Sequence, residues 1–134
     1  MKCLFCNKET SKKNKFCNNT CIAEFRYNAY ILSWKKGLND GQKGYGWGQV
    51  SSYIRRYLFE KFNSKCTSCG WNRVNIKTGK IPLQVEHVDG NPENHSEENL
   101  SLLCPNCHSL TPTYGKLNLG KGRKKAKYRY IEEE

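Results

Sequence analysis

Apolar residues fall in short bursts along this 134-residue chain, separated by long polar stretches. Ile22, Phe25, Ala29 and Leu32 recur at helical spacing, which predicts a helix from about Cys21 to Lys36. Gly37 is a natural stop for it. Residues 37–48, GLNDGQKGYGWG, hold five glycines and predict a flexible linker or a loop facing a polyanion. Tyr45 and Trp47 within that stretch are expected to anchor the loop, because aromatic rings usually pack. A second helix is predicted over Ser51–Phe62, where Ile54, Leu58 and Phe62 share one face. From Leu83 to Val88 the period changes to two, with Leu83, Val85 and His87 on one side, and a strand follows from that alternation. Asp89-Gly90-Asn91-Pro92 breaks the strand into a loop. The apolar run Leu100–Leu103 predicts a returning strand. Pro105 suits the first turn of a short helix that Pro112 limits. Helices and strands in this order predict an α+β protein.

Composition sharpens that picture. Only 37% of residues are hydrophobic, and the mean hydropathy is −0.84. So short and polar a chain buries a thin core and needs staples. Its eight cysteines supply them in two clusters: Cys3-x2-Cys6 with Cys17-x3-Cys21, and Cys66-x2-Cys69 with Cys104-x2-Cys107. No apolar run near the N-terminus reads as a signal peptide and no stretch is long enough to span a membrane, so a reducing, cytoplasmic setting is expected. There, short-spaced thiols hold metal rather than form disulfides. Each quartet predicts a closed, tetrahedral, structural zinc site that ties two distant segments together.

Charge adds a candidate partner. The formal net charge is +11, spread unevenly. Residues 1–61 carry twelve Lys/Arg against four Asp/Glu, residues 62–115 four against five, and residues 116–134 seven against three. Basic flanks around a slightly acidic middle suit a nucleic acid at the flanks and cations in the middle. Arg55, Arg56 and Lys61 on the second helix, and Arg123, Lys124 and Lys125 in the tail, are the candidate phosphate contacts. A merely solvated basic face is the alternative for each.

All three histidines, His87, His95 and His108, fall between the second pair of CxxC motifs and the residue just after it. Glu86 precedes His87, Asn99 precedes the returning strand, and His108 follows a zinc cysteine. The stretches VEHVDGN and EENLSLLCPNCH together resemble the HNH nucleases of the ββα-metal (His-Me finger) superfamily. The resemblance covers residues 62–115, about two-fifths of the chain, and Trp71 through Gly115 looks like a phage-type subset. It implies a ββα nuclease core that hydrolyses DNA with Mg²⁺ or Mn²⁺, leaving 5′-phosphate and 3′-hydroxyl ends. It implies His87 as general base, Asn99 as the residue that holds it through the loop backbone, and Glu86 with His108 as ligands of the catalytic metal. A neutral imidazole is suited to taking a proton from water near neutral pH. Many family members carry aspartate where this chain has Glu86, which leaves Asp89 as the substitute ligand. His95, in a polar loop, reads as a bystander or a DNA contact.

The expected organisation is a zinc knuckle and helix over residues 1–36, a Gly-rich linker and basic helix over 37–61, the HNH core over 62–115 and a basic tail over 116–134. A non-catalytic zinc-finger DNA-binding protein is the rival reading, against which the intact His87, Asn99 and His108 argue. An RNA-directed protein is disfavoured by the lack of a repeated aromatic stacking platform. The pattern is compatible with a monomer that nicks or a homodimer that cuts both strands.

Overall fold

The computed structural model describes residues 1–43 and 49–118, apart from the side chain of Lys116. Tyr45, Trp47 and the tail with Arg123, Lys124 and Lys125 lie outside the described residues. The chain forms two compact units, Met1–Asn39 and Asp40–Glu134.

In the first unit an antiparallel bridge joins Lys2 to Glu9, and helix α1 (Asn19–Lys35) follows the knuckle. Asn18 caps α1 by accepting from the Cys21 N–H at 2.8 Å. The helix ends at Lys36, and Gly37 takes φ +75°, a conformation that favours glycine. Its buried residues are Cys21, Tyr27, Ile31 and Trp34. The apolar stripe that marks the helix in the sequence is not the buried one: Phe25 and Leu32 are exposed, and Ala29 is too. Tyr27, Ile31 and Trp34 form a second stripe of the same spacing on roughly the opposite side of the helix. That stripe carries the larger rings, which gain most from burial.

In the second unit the polypeptide on either side of residues 44–48 pairs across an antiparallel bridge, Gln42 to Val50. Ser51 then caps α2 (Ser52–Lys61) by accepting from the Ile54 N–H. The predicted strand is shorter than its alternation, β1 (Gln84–His87), and it pairs antiparallel with β2 (Leu100–Leu103), Glu86 opposite Ser101 and His87 opposite Leu100. Asp89 and Gly90 turn the chain away and end β1. A turn of 3₁₀ helix at Glu97–Asn99 leads into β2. Helix α3 (Pro105–Ser109) packs on both strands, with Pro105 in its first turn and the Cys104 sulfur at its N-cap. This small mixed fold is α+β, as the sequence predicts.

Ile54, Leu58, Leu83 and Leu102, all at most 2% exposed, form the centre of the second unit. Burying each contributes about 1.5–3 kcal/mol. Three polar links fix α2 to the ends of the hairpin. Arg55 donates to the Leu83 carbonyl at 2.9 Å. The Tyr57 hydroxyl bonds the Glu97 carboxylate, which also pairs with Lys61. On the other side, Thr67 donates through N–H and hydroxyl to the Leu102 carbonyl. The hairpin that carries His87 is thereby held where β1 begins and along β2.

Candidate active site and metal centres

The cysteines gather as their spacing requires. In each quartet all four sulfurs lie within 4.8 Å of one another. Cys17 Sγ is 3.3 Å from both Cys6 and Cys21, and Cys69 Sγ is 3.7 Å from Cys104. Zinc–sulfur bonds of 2.3 Å in a tetrahedron separate sulfurs by about 3.8 Å, so both sets fit such an ion. The chemistry of the thiols agrees. Burial works against ionising Cys66, yet the backbone N–H groups of Cys104, Cys69 and Ser68 outweigh it and bring the thiol down to about 6. Hydrogen bonding to Cys69 and Cys104, with burial, pushes Cys107 up to about 12. The first quartet repeats the division, with Cys3 lowered to about 6 and Cys21 raised to about 12. A thiol eased toward ionisation beside one pushed against it, Cys66 with Cys107 and Cys3 with Cys21, is an arrangement a bound cation resolves. Both clusters could hold zinc.

Between the second pair of CxxC motifs the hairpin presents its two key residues to opposite sides, as strand alternation demands. Glu86 is buried and turns toward α3, where its Oε2 lies 2.8 Å from His108 Nδ1. Thr113 donates to the other carboxylate oxygen at 3.3 Å, and Tyr114 packs edge-on against the His108 ring. Cys107, one residue earlier on α3, belongs to the cysteine cluster, so that cluster fixes the height of His108. Cis ligands at 2.1 Å around an octahedral ion stand about 3.0 Å apart, so one carboxylate oxygen and one imidazole nitrogen at this spacing fit a hard divalent cation. Among the described residues, the cysteine quartets are the groups that gather three or more metal-type side chains; Glu86 with His108 offers two donors and leaves other positions to phosphate and water.

Asp89, the substitute carboxylate, faces its own loop. It accepts from Asn91 N–H at 2.8 Å, Asn94 Nδ2 at 2.8 Å and Asn99 Nδ2 at 3.0 Å. The Asn94 bond, ahead of the Asn91 one, holds the Asp89 carboxyl below the usual range. Asn99 is the hub of this loop. Its Oδ1 accepts from the Asp89 N–H at 3.0 Å, its Nδ2 also donates to the Asn94 carbonyl at 2.9 Å, and its own carbonyl accepts from the Val88 N–H. The residues just after His87 are therefore pinned by Asn99. Gly90 takes φ +75°, and a Cβ there would stand 2.4 Å from Asn118 Oδ1. Asn118 Nδ2 donates to the Gly90 carbonyl at 2.7 Å, closing the segment after α3 over the loop.

His95, expected from its polar loop to be a bystander or a DNA contact, is turned into the protein. It is 3% exposed, and its Nδ1 lies 2.9 Å from His87 Nε2. The polar sequence around it carries no sign of this burial, which arises from the fold of the loop. Thr113 and Asn118 were likewise missed; neither spacing nor residue type marks them. The three helix cations make intramolecular contacts: Arg55 donates to Leu83 and lies over the Phe59 ring, Arg56 pairs with Glu60 at 2.9 Å, and Lys61 pairs with Glu97.

Over 57 residues the chain is 53% identical to the H-N-H endonuclease F-TflIV of Escherichia phage T5, a match covering 42% of this chain and 24% of that protein. This similarity supports an HNH family. Over 111 residues the chain is 31% identical to the Zorya protein ZorE of Escherichia coli, covering 79% of this chain and 28% of that protein. The chain thus spans about a quarter of the length of the curated relatives it matches. No protein-family model matches it, and no solved structure gives a significant match. The phage relative supports a nuclease function in general. Among the described residues, no helix is long and apolar enough to cross a membrane.

Proposed function

We propose that this chain is a metal-dependent endonuclease that hydrolyses DNA phosphodiester bonds. The observation that carries the proposal is the Glu86–His108 pair, 2.8 Å apart, next in sequence to His87 on a hairpin framed by four cysteines. The HNH similarity to a phage endonuclease supports the same chemistry. Glu86 and His108 would hold the catalytic ion, Mg²⁺ or Mn²⁺. Bound there, a divalent cation supplies neutralising charge for the phosphate and the leaving oxygen. His87 takes the proton of the attacking water. Asn99 fixes the backbone that follows His87 and so keeps the imidazole where the water must be. The two cysteine quartets hold structural zinc. The basic flanks, including Arg55, Arg56, Lys61, Arg123, Lys124 and Lys125, grip the DNA backbone, and a host cytoplasm suits a protein of this kind.

Plasmid cleavage tests the proposal. Zinc-loaded protein with Mg²⁺ or Mn²⁺ should convert supercoiled DNA to nicked or linear forms, and EDTA should stop it. Bound but uncut DNA with either metal, across plasmids of unrelated sequence, would favour a zinc-finger binding protein instead.

A further inference from the structure

Burial of His95 sets it apart from its surroundings. Residues 91–98, NPENHSEE, offer no apolar side chain apart from Pro92, yet among the described residues of the second unit His95 is the most buried polar one. Its backbone is clamped from both sides. The Asn94 carbonyl before it accepts from Asn99 Nδ2 at 2.9 Å, and the Ser96 hydroxyl after it donates to Asn94 Oδ1 at 2.8 Å. The clamp aims the His95 ring at His87: Nδ1 is 2.9 Å from His87 Nε2, with ring centres 5.0 Å apart and planes at 51°. Placing an imidazole in a protein interior costs free energy unless its nitrogens are used.

Building on the nuclease reading, we propose that His95 is a positioning residue, which through its Nδ1 holds the Nε2–H of His87 and so makes His87 Nδ1 the nitrogen that receives the proton of the attacking water. Burial pushes the His95 pKa down, against the opposing pull of Asp40 and Glu93, which favours its neutral form; in the proposed arrangement that neutral ring keeps its lone pair on Nδ1, toward His87 Nε2. A neutral imidazole carries one N–H and one lone pair, so fixing the His87 proton on Nε2 fixes the lone pair on Nδ1. In the reaction an O–H bond of water breaks and its proton goes to His87 Nδ1. The water oxygen forms the new bond to phosphorus, and the leaving oxygen departs with the electron pair of the broken P–O bond. His87 becomes an imidazolium whose Nε2–H still points at the His95 lone pair. His95 changes neither charge nor proton count.

The test uses the full zinc-loaded chain and two variants, His95→Leu, which removes the acceptor, and His95→Asn, which returns an oxygen near the place of Nδ1. Long-range ¹⁵N–¹H spectra of the His87 ring report the tautomer. Wild type should show the Nε2–H form, His95→Leu a mixture, and His95→Asn a return toward Nε2–H. On plasmid DNA, His95→Leu should lower kcat about 10- to 100-fold with KM within about twofold, as expected for a misplaced catalytic group, and His95→Asn should recover most of the loss. An Nδ1–H tautomer in the wild type overturns the proposal. So does an unchanged His87 spectrum in His95→Leu, or an equal loss in both variants accompanied by lost zinc. Should the wild type cut no DNA, the nuclease reading fails, while the nitrogen spectra still decide whether His95 holds His87.

Discussion

The two units share one device and differ in what surrounds it. Each gathers four cysteine sulfurs into a cluster that could hold zinc, and each places the last pair of its cysteines at the start of a helix, or just before one. In the first unit the cluster is followed by a long helix whose buried face is Tyr27, Ile31 and Trp34. The second unit holds all three histidines of the chain, and its cluster lies against a hairpin that carries Glu86 and His87. Four thiolates saturate a tetrahedral ion, so neither cluster has a position to offer a substrate. Chemistry needs donors that the structural ion leaves unused, and only the second unit adds a carboxylate–imidazole pair beside its cluster. Under the proposed function, a shared staple would support two different tasks.

The largest expected effect comes from removing the staple. Structural zinc contributes on the order of 10 kcal/mol in small zinc-bound folds. Cys104→Ser should abolish the cooperative melting of the second unit and all cutting with it. Cys17→Ser should unfold the first unit and weaken DNA affinity more than it slows turnover. Equal loss of turnover in both variants would erase the distinction between the units. Acid should act in the same direction. The Cys66 thiol falls from 9.0 to about 6 in the folded chain, so its contribution is complete above pH 9 and is lost as the pH falls through 6. Zinc release on titration, followed with a chromogenic chelator, should centre near or below that value.

Next in size is His108→Ala. It removes one donor of the proposed catalytic ion and leaves the buried Glu86 carboxylate without its imidazole, at a cost of about 1–3 kcal/mol. Cutting should vanish while zinc content stays at the wild-type value, measured by atomic absorption. Asn99→Ala loses three side-chain hydrogen bonds of the 88–94 loop; a loss of about 1–3 kcal/mol in urea unfolding is expected, with turnover falling more than affinity. The smallest effect belongs to Arg56→Ala. Its exposed pair with Glu60 is one helical turn long, and such pairs contribute about 0.3–0.5 kcal/mol. A large stability change there would assign Arg56 a role in the fold that its exposure does not suggest.

Local rules made much of this legible. The shared face of Ile54, Leu58 and Phe62, Pro105 in the first turn and the run Leu100–Leu103 mark α2, the start of α3 and β2 to within a residue, because periodicity, proline and short apolar runs act through neighbouring backbone. The cysteine spacing locates both clusters for the same reason. The buried face of α1 was not legible, since two apolar stripes compete and tertiary packing chooses between them. Nor was the inward turn of His95, which depends on how Asn99, Asp89 and Asn94 fold a polar loop upon itself. The closure of Thr113 and Asn118 over Glu86 and Gly90 joins residues far apart in sequence, where spacing is silent.

The most direct measurement is single-turnover cleavage of plasmid DNA by zinc-loaded wild type and His87→Ala, with DNA affinity measured in parallel without added Mg²⁺ or Mn²⁺. A general base contributes about 10²–10⁴-fold, so the variant should lose that much in rate while its affinity, zinc content and melting curve match the wild type. Equal cleavage rates in the two proteins would contradict His87 as the base and, with it, the placement of the chemistry on this hairpin.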